Sequence, residues 1–348
     1  MTDVDNNGLR EFPEIRNCRK DEIEELVDYA SSIYPYRYKT EKNRIRFKNL
    51  ARFWFCRTPD TYRYMMLIKE GGRIVGQTYL IPTDYHWEGI RCEAAWSFDL
   101  FVDLDKRKSA YGAELMMATR SLPGDSFSTG ANDDALPMLR LLGYTHIGNI
   151  RKYVGCGAFF GLFRIFYAGR ISVRSFPPSV EVRDVIFDRT DDASAIAVQK
   201  PFNAGLLEWG RNDDFVSWYY GPHNVNEYAI YRKRGADDYF VVRPIRHAHV
   251  TMLALVDFRC PLEKGDDAFR TIVEAVREIT HRLHIPFIVS SSTLAVTDRV
   301  LESFGFHSVG RPRPVMSTRK WKGMEERIAA RDFLQVNFVD SDGEAGWE

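Results

Sequence analysis

Six consecutive residues, Arg107, Lys108, Ser109, Ala110, Tyr111 and Gly112, join an apolar run to a helical one. Before them "AAWSFDLFV" has strand composition and ends at Val102; after them "ELMMATR" begins at Glu114 with helix formers. A turn at a helix start leaves backbone N–H groups without intrahelical partners, and the helix dipole favours negative charge there. Small side chains such as Ser109, Ala110 and Gly112 let a ligand approach the main chain. Arg107 and Lys108 can add charge-assisted hydrogen bonds. The chemistry open to this segment is holding a diphosphate. A solvated basic turn that only caps a helix uses the same residues, and the local pattern admits both readings.

Elsewhere reactive residue types occur without the spacing their chemistry needs. His247 and His249 fall on one face of an expected strand, yet no Cys or third His follows at ligand spacing, so a surface strand is expected and no metal. Ser290, Ser291 and Ser292 follow an apolar run that lacks a Gly-x-Ser-x-Gly elbow. Cys18, Cys56, Cys92, Cys156 and Cys260 are scattered, odd in number and form no CxxC pair, which suits free thiols in a reducing cytoplasm.

The elements that must position the loop follow from periodicity. Residues 1–12 are polar and are expected to be disordered. "EIRNCRKDEIEELVDYASSIY" reads as a strand, a cap near Lys20 or Asp21, and a helix burying Ile23, Leu26 and Val27. Three strands follow, joined by a hairpin turn at Gly71-Gly72 and a polar turn near His86 to Gly89. After the basic loop come a helix, a strand "SFSTGA", a helix over "DALPMLRLL" and a strand from "GYTHIG". The same order recurs after residue 179: "VEVRDVIFDRT", "EYAIYRKRGADDYFVVRPIR", "VTMLALVDF" and "RVLESFGFHSVGRP" echo the earlier segments. A period of roughly 160 residues reads as two copies of one α+β unit rather than a solenoid.

This order, with "LFV" ahead of Arg107, Ala110 and Gly112, resembles the GNAT acyltransferase superfamily over residues 13–152. In that family Arg/Gln-x-x-Gly-x-Gly/Ala wraps the pyrophosphate of acetyl-coenzyme A. Arg107 takes the leading position, Ala110 stands where the first glycine is usual, and Gly112 takes the second. A methyl group at Ala110 suits a negative φ and costs about 1 kcal/mol or more at a positive one. "NDDALPMLRLLGY" matches the family's downstream Asn pattern through Asn132, Ala135, Gly143 and Tyr144. The resemblance implies an α+β fold of two GNAT-like domains, each a mixed, mostly antiparallel sheet flanked by helices. It implies that Leu100, Phe101 and Val102 contact the acetyl group and pantetheine, with an N–H near Phe101 or Val102 as oxyanion donor. Many relatives place a glutamate base just before an acidic residue on the fourth strand, and a tyrosine acid on the helix after the Asn pattern; here Phe98 and Leu139 stand at those places. Asp99 is the expected substitute base. Glu93, earlier on the same strand and on Asp99's face because both are odd-numbered, is the second candidate, acting through water, and His86 and His146 are the nearest imidazoles.

The expected layout is a disordered 1–12, an acyl-coenzyme A domain over 13–152, a linker over 153–178, a second GNAT-like domain over 179–320 and a tail over 321–348. In the second copy Gly265 is followed by Asp266 and Asp267, which repel a diphosphate, so no coenzyme is expected there. That copy is expected to wall the acceptor site, with Trp218, Tyr219 and Tyr220 serving either there or as core. The tail is expected to add an edge strand and then a solvated "DSDGE", a type resembling tails of tandem GNAT proteins linked to surface polysaccharide.

The 348 residues carry 48 Lys plus Arg against 48 Asp plus Glu, which argues against a dedicated nucleic-acid binder. No run reaches the ~18 apolar residues of a membrane span; Tyr153 to Arg170, broken by Arg164, is the one candidate for membrane-surface contact. The expected function is transfer of an acyl group, from acetyl-coenzyme A or another acyl-coenzyme A as co-substrate, to a small-molecule amine in the cytoplasm, with an amino sugar as acceptor. The rivals are a coenzyme A-binding sensor without turnover, favoured by Phe98 and Leu139, and a duplicated transferase using aminoacyl-tRNA.

Overall fold

The computed structural model describes residues 13–33, 40–55, 57, 64–120, 123–131, 133, 135–158, 171–198, 200–247, 250–263 and 265–340. The N-terminal 1–12, Asn132, His249 and 159–170 of the candidate membrane segment lie outside them. The first half contains β1 (Glu14–Asn17), α1 (Ile23–Ser32), α2 (Glu41–Phe55), β2 (Met65–Glu70), β3 (Arg73–Trp87), β4 (Ile90–Val102), α3 (Tyr111–Thr119), β5 (Asp125–Thr129), α4 (Ala135–Leu141) and β6 (Thr145–Cys156). Gly71 and Gly72, at φ 57° and 76°, make the two-residue turn between β2 and β3. The next hairpin turns on Glu88 and Gly89, so His86 belongs to a strand rather than to the turn. α1 buries Leu26, Val27 and Ala30, and Ile23 packs beside them. α2 was not among the expected elements; its buried Phe47, Leu50, Ala51, Trp54 and Phe55 recur at helical spacing and face the same core.

The second half contains β7 (Ser179–Val182), β8 (Val185–Thr190), β9 (Leu207–Trp209), α5 (Asp213–Tyr219), β10 (Ala229–Lys233), β11 (Tyr239–His247), β12 (Val250–Arg259), α6 (Asp267–Leu283), β13 (Phe287–Ser292), α7 (Ala295–Ser303), β14 (His307–Ser317), α8 (Glu325–Ala330) and β15 (Leu334–Gln335). The echo is inexact at its start: where the first half follows its strand with α1, "VEVRDVIFDRT" makes the hairpin β7–β8 on Arg183 and Asp184, both at positive φ.

The strands join in one sheet, ordered β1-β2-β3-β4-β5-β14-β6-β13-β12-β11-β10-β8-β7. Parallel pairing occurs at β4–β5, β12–β13 and β15–β9, and the other pairs are antiparallel. The fold is thus α+β with a mixed, mostly antiparallel sheet. β14, from the second half, pairs with β5, while β6, from the first half, pairs with β13. Each half therefore lends its last strand to the edge of the other. Trp209 of β9 reinforces the join, packing on Trp96 of β4 with ring centroids 4.5 Å apart.

Trp321 and residues 333–340 are buried, while the stretch between them, with α8, lies at the surface. Trp321, Phe333, Leu334 and Val336 pack with Tyr85 and Trp87, and Phe338 and Val339 pack with Tyr239 and Val256. β15 pairs with β9 and ends the ladder β3–β9–β15, with both of its residues buried. The physical reason is a gap: β12 and β13 pair only as far as Ala254 and Val289, and the C-terminal segment threads the opening beyond. There Gln335 and Asn337 donate to the Phe258 carbonyl at 3.2 and 3.1 Å, and Ala295 N–H donates to the Arg331 carbonyl at 2.8 Å. Asp340, first residue of "DSDGE", is buried against Arg211 at 2.6 Å.

Candidate functional site

β4 and β5 pair in parallel from Ala94 opposite Asp125 to Ser97 opposite Ser128, and then part. β4 runs on to Val102, while β5 ends at Thr129. At the parting Phe98 lies opposite Tyr79 and Phe101 opposite Gln77, so Asp99 and Leu100 together face the single residue Thr78. This is a β-bulge, and Asp99 adopts φ 43° to make it, a conformation Asp tolerates better than most residues. The bulge breaks strand alternation. Leu100 and Val102 turn toward α3, and Phe101 toward α1, where the Tyr29 ring lies 6.3 Å away. The expected shared face of Asp99 and Glu93 does not carry across it. Glu93 is exposed opposite Asp84, about 20 Å back along the strand, and the structure does not bring it to the parting. Asp103 N–H donates to the Val75 carbonyl on β3 at 2.9 Å, so alternation turns the Val102 N–H toward the gap.

The basic loop leaves β4 through a short 3-10 turn over Leu104–Lys106. Lys106 is held by Glu70 at 2.5 Å, which leaves Arg107 and Lys108 as the exposed cations of the loop. The Arg107 guanidinium lies 5.4 Å from the Phe101 ring centroid, over the end of the parted strand. Ser109 Oγ donates to the Lys106 carbonyl at 2.5 Å and tightens the turn. Ala110 has φ −75°, so its methyl group is unstrained and no glycine is needed. The first bond of α3 runs from Glu114 N–H to the Ala110 carbonyl, leaving the N–H groups of Gly112 and Ala113 ahead of the ladder, while Tyr111 N–H donates to Ser109 Oγ at 3.4 Å. Leu115 of α3 is fully buried against Met66, Ile68, Val75 and Val102, and fixes the helix over the sheet. A Cβ added at Gly112 would meet Met138 Sδ at 3.7 Å and Val102 Cγ2 at 4.0 Å, ordinary contacts. The chain's own packing therefore does not require glycine there. A small residue at the mouth of a cationic helix start, beside a parted strand, fits a diphosphate with an extended arm.

The other expected residues scatter. Leu139, 2% exposed, is core with Met116, Tyr144 and Met316. Tyr144 donates to or accepts from Ser126 Oγ at 2.9 Å, and burial raises its phenol pKa. His86 is buried beside Arg91 and Glu208 in register, and burial lowers its pKa; His146 is exposed on β6. Tyr219 and Tyr220 are core, the latter donating to Asp257 at 3.0 Å, and half-buried Trp218 stacks on Phe53 of α2 at 4.9 Å. Residues 331–337 hydrogen-bond into the opening between β12 and β13, and beside it a cavity of about 570 Å³ is lined by Glu263, Gly265, Arg299, Arg327 and Arg331.

Sequence reasoning missed a cavity of about 590 Å³ beside the end of β5. It forms because β14 loops out Gly310, Arg311 and Pro312 between the pairs Val309–Lys152 and Arg313–Ile150. Thr129, Ala131 and Leu136 close one side and Phe338 another. Leu136 and Ala131 pack on the same cluster as Leu100, so this cavity adjoins the parted strands. Its signal in the sequence was the glycine-proline run "GRPRP", which read only as an echo of an earlier segment.

The parted parallel strands, the bulge and the cationic helix start decide the fold assignment together with solved structures. A GCN5-related N-acetyltransferase from Anabaena variabilis aligns with 88% of this chain and 72% of its own, at TM-score 0.57 and 12% identity. The fold is that of the GNAT acyltransferases. The same GNAT architecture relates the chain to a putative acetyltransferase from Pyrococcus horikoshii, covering 90% of this chain and 91% of that one at TM-score 0.53 and 12% identity. It also relates it to Saccharomyces cerevisiae N-myristoyltransferase with bound myristoyl-CoA, covering 89% and 83% at TM-score 0.55 and 10% identity. No family model and no curated protein sequence matches the chain. Among the described residues no His/Cys/Asp/Glu group could hold a metal, and no helix is long and apolar enough to cross a membrane.

Proposed function

We propose that this GNAT-fold chain is an acyl-coenzyme A-dependent N-acyltransferase whose working site lies at the parted end of β4. The observation that carries the reading is the run from the Asp99 bulge through Arg107 to the bare helix start at Gly112. Gly112 and Ala113 N–H groups, with Arg107 and Lys108, hold the pyrophosphate, and Ser109, Ala110 and Tyr111 shape the turn, the Ser109 hydroxyl accepting from Tyr111 N–H. Leu100, Phe101 and Val102 present an extended edge to pantetheine. Coenzyme A supplies the activated thioester. The Val102 N–H polarises its carbonyl, and the acceptor amine is held for direct attack, forming C–N as C–S breaks. The half-buried Asp99 takes the ammonium proton, directly or through water, and that proton returns to the departing thiolate through solvent. Acetyl-coenzyme A and an amino sugar are the proposed donor and acceptor. Asn132, by family resemblance, completes the coenzyme contacts.

Titration calorimetry with acetyl-coenzyme A, followed by thiol-release assays over an amine panel, tests the reading. Arg107→Glu is expected to weaken coenzyme binding at least tenfold, because two charge-assisted bonds become one repulsion. Unchanged affinity would overturn the site. Buried Leu139, standing where relatives carry a phenol, favours one alternative: a coenzyme A sensor, which would bind without acceptor-dependent thiol release.

A further inference from the structure

Among the described residues, Gln77 is the one buried amide with neither its oxygen nor its nitrogen hydrogen-bonded. It lies on β3, 2% exposed, opposite Leu67 of β2 and Phe101 of β4. Residues directly opposite in a sheet point to the same side, and Leu67 shares a core cluster with Leu26 and Val27 of α1, so the amide stands on the α1 face. On that face Tyr29, whose ring lies 6.3 Å from Phe101, already donates to Asp103 at 2.8 Å. Trp96 and Trp209 also leave indole N–H groups without an acceptor. Their rings, however, pack 4.5 Å from each other, and Trp209 packs 4.6 Å from Phe127, and an aromatic face takes an N–H weakly. An amide oxygen has no such substitute. Leaving a buried donor and acceptor unmet costs their full desolvation, and Leu or Met would fill the space without it. A group retained on those terms meets a partner that the free chain lacks. Position and chemistry say which. Phe101 is half-buried at the parted end of β4, so a ligand reaching it comes within one strand spacing, about 5 Å, of the Gln77 backbone. Asp99 faces Thr78, the next residue along β3, so an amine held at Asp99 has the body that carries it within reach of Gln77. The amide oxygen only accepts and the amide nitrogen only donates, so a carboxylate or phosphate leaves the first unmet and an ammonium the second. Two neighbouring hydroxyl groups satisfy both, one donating to Oε1 and the other accepting from Nε2.

We infer that Gln77 is a specificity-determining residue of the acceptor site, and that it reads two neighbouring hydroxyl groups of a sugar amine. The inference deepens the acyltransferase reading and rests on it for the word acceptor, whereas hydroxyl recognition is measured as binding, apart from turnover. The probes are glucosamine, cyclohexylamine, which keeps a ring and loses the hydroxyl groups, and 4-aminocyclohexanecarboxamide, which replaces them with one amide. Each is titrated by calorimetry into the full chain, with coenzyme A present and absent. Glucosamine is expected to bind at least tenfold tighter than either of the others. Gln77→Met should remove about tenfold of that advantage and leave the affinities for cyclohexylamine and acetyl-coenzyme A unchanged. It should also raise the melting temperature, because an unmet buried amide has gone. Gln77→Leu repeats the test with a second apolar shape. Cyclohexylamine or the carboxamide bound as tightly as glucosamine, an advantage that survives both substitutions, or no glucosamine binding at millimolar concentration would each overturn the inference. So would a lowered melting temperature with the advantage intact, which marks the amide as structural. Failure of coenzyme A to bind the unaltered chain, with glucosamine still discriminated through Gln77, would sink the acyltransferase reading alone.

Discussion

Gly112 separates what the fold needs from what a ligand needs. Nothing in the chain crowds its missing side chain, so Gly112→Ala should leave thermal stability unchanged or slightly raised, since alanine is the better helix former by about 1 kcal/mol. Acetyl-coenzyme A affinity should fall at least tenfold, because the methyl group stands where the main chain meets phosphate. Calorimetry on the same sample as the melting curve checks both halves. Asp99→Asn keeps a residue that tolerates positive φ and removes only the base; the acyl-transfer rate should drop about a hundredfold with the coenzyme dissociation constant unmoved. Lys152 titrates in the opposite sense to a salt-bridged lysine. Its folded pKa is depressed, so the charged form costs stability below about 8, and the cost disappears as pH rises toward its ordinary 10.5. Lys152→Met should therefore raise the melting temperature at pH 7 and lose that gain by pH 10.5.

At the scale of elements, the C-terminal segment takes the place in the second half that a bound arm would take in the first. Its anchor is a buried ionic cluster: Arg211 meets Asp257 at 2.8 Å and Asp340 at 2.6 Å, and Asn337 donates to Asp257 at 2.6 Å. Burial alone would raise the Asp257 carboxyl; Arg211 and Arg259 outweigh it and hold it down at about 2. A depressed carboxyl contributes stability that is present above its unfolded value and lost as pH falls through the folded one. Acid unfolding between about pH 4 and 2 should accordingly be steeper than in an Asp257→Asn variant. Asp340→Leu removes one carboxylate and leaves two buried guanidinium groups, Arg211 and Arg259, sharing the single carboxylate of Asp257, at an expected cost of about 3–5 kcal/mol in urea unfolding. A loss below 1 kcal/mol would mean the segment is not pinned by this cluster.

For the molecule as a whole, the exchange of last strands makes the halves interdependent. Cut at residue 158, the first half would lose β14 from the edge of β5 and both neighbours of β6, β14 and β13. Unpaired edges are templates for association. Residues 13–158 alone should therefore aggregate or remain unfolded by size-exclusion chromatography and amide exchange, whereas mixing in the complementary half should restore a monodisperse particle. A well-folded, monomeric first half would contradict the account of the sheet.

Local chemistry in the chain dictates the strand and helix order, the Gly71-Gly72 hairpin and the cationic turn before α3, because each depends on neighbours within a few residues. The α2 helix was legible too, in the spacing of Phe47, Leu50, Ala51, Trp54 and Phe55, but its polar length hid it among connections. Strand partners are another matter. The edge of β5 could meet either "THIGNIRKYVGC" or "HSVGRPRPVMS", both half-apolar, and only packing of the two halves selects the second. From that choice follows the cavity between β5, β6 and the looped-out part of β14, whereas the bulge at Asp99 arises within the β3–β4 pairing. The run "GRPRP" marks the loop-out in the sequence, but which strand it faces is decided where distant segments compete for one hydrogen-bonding edge.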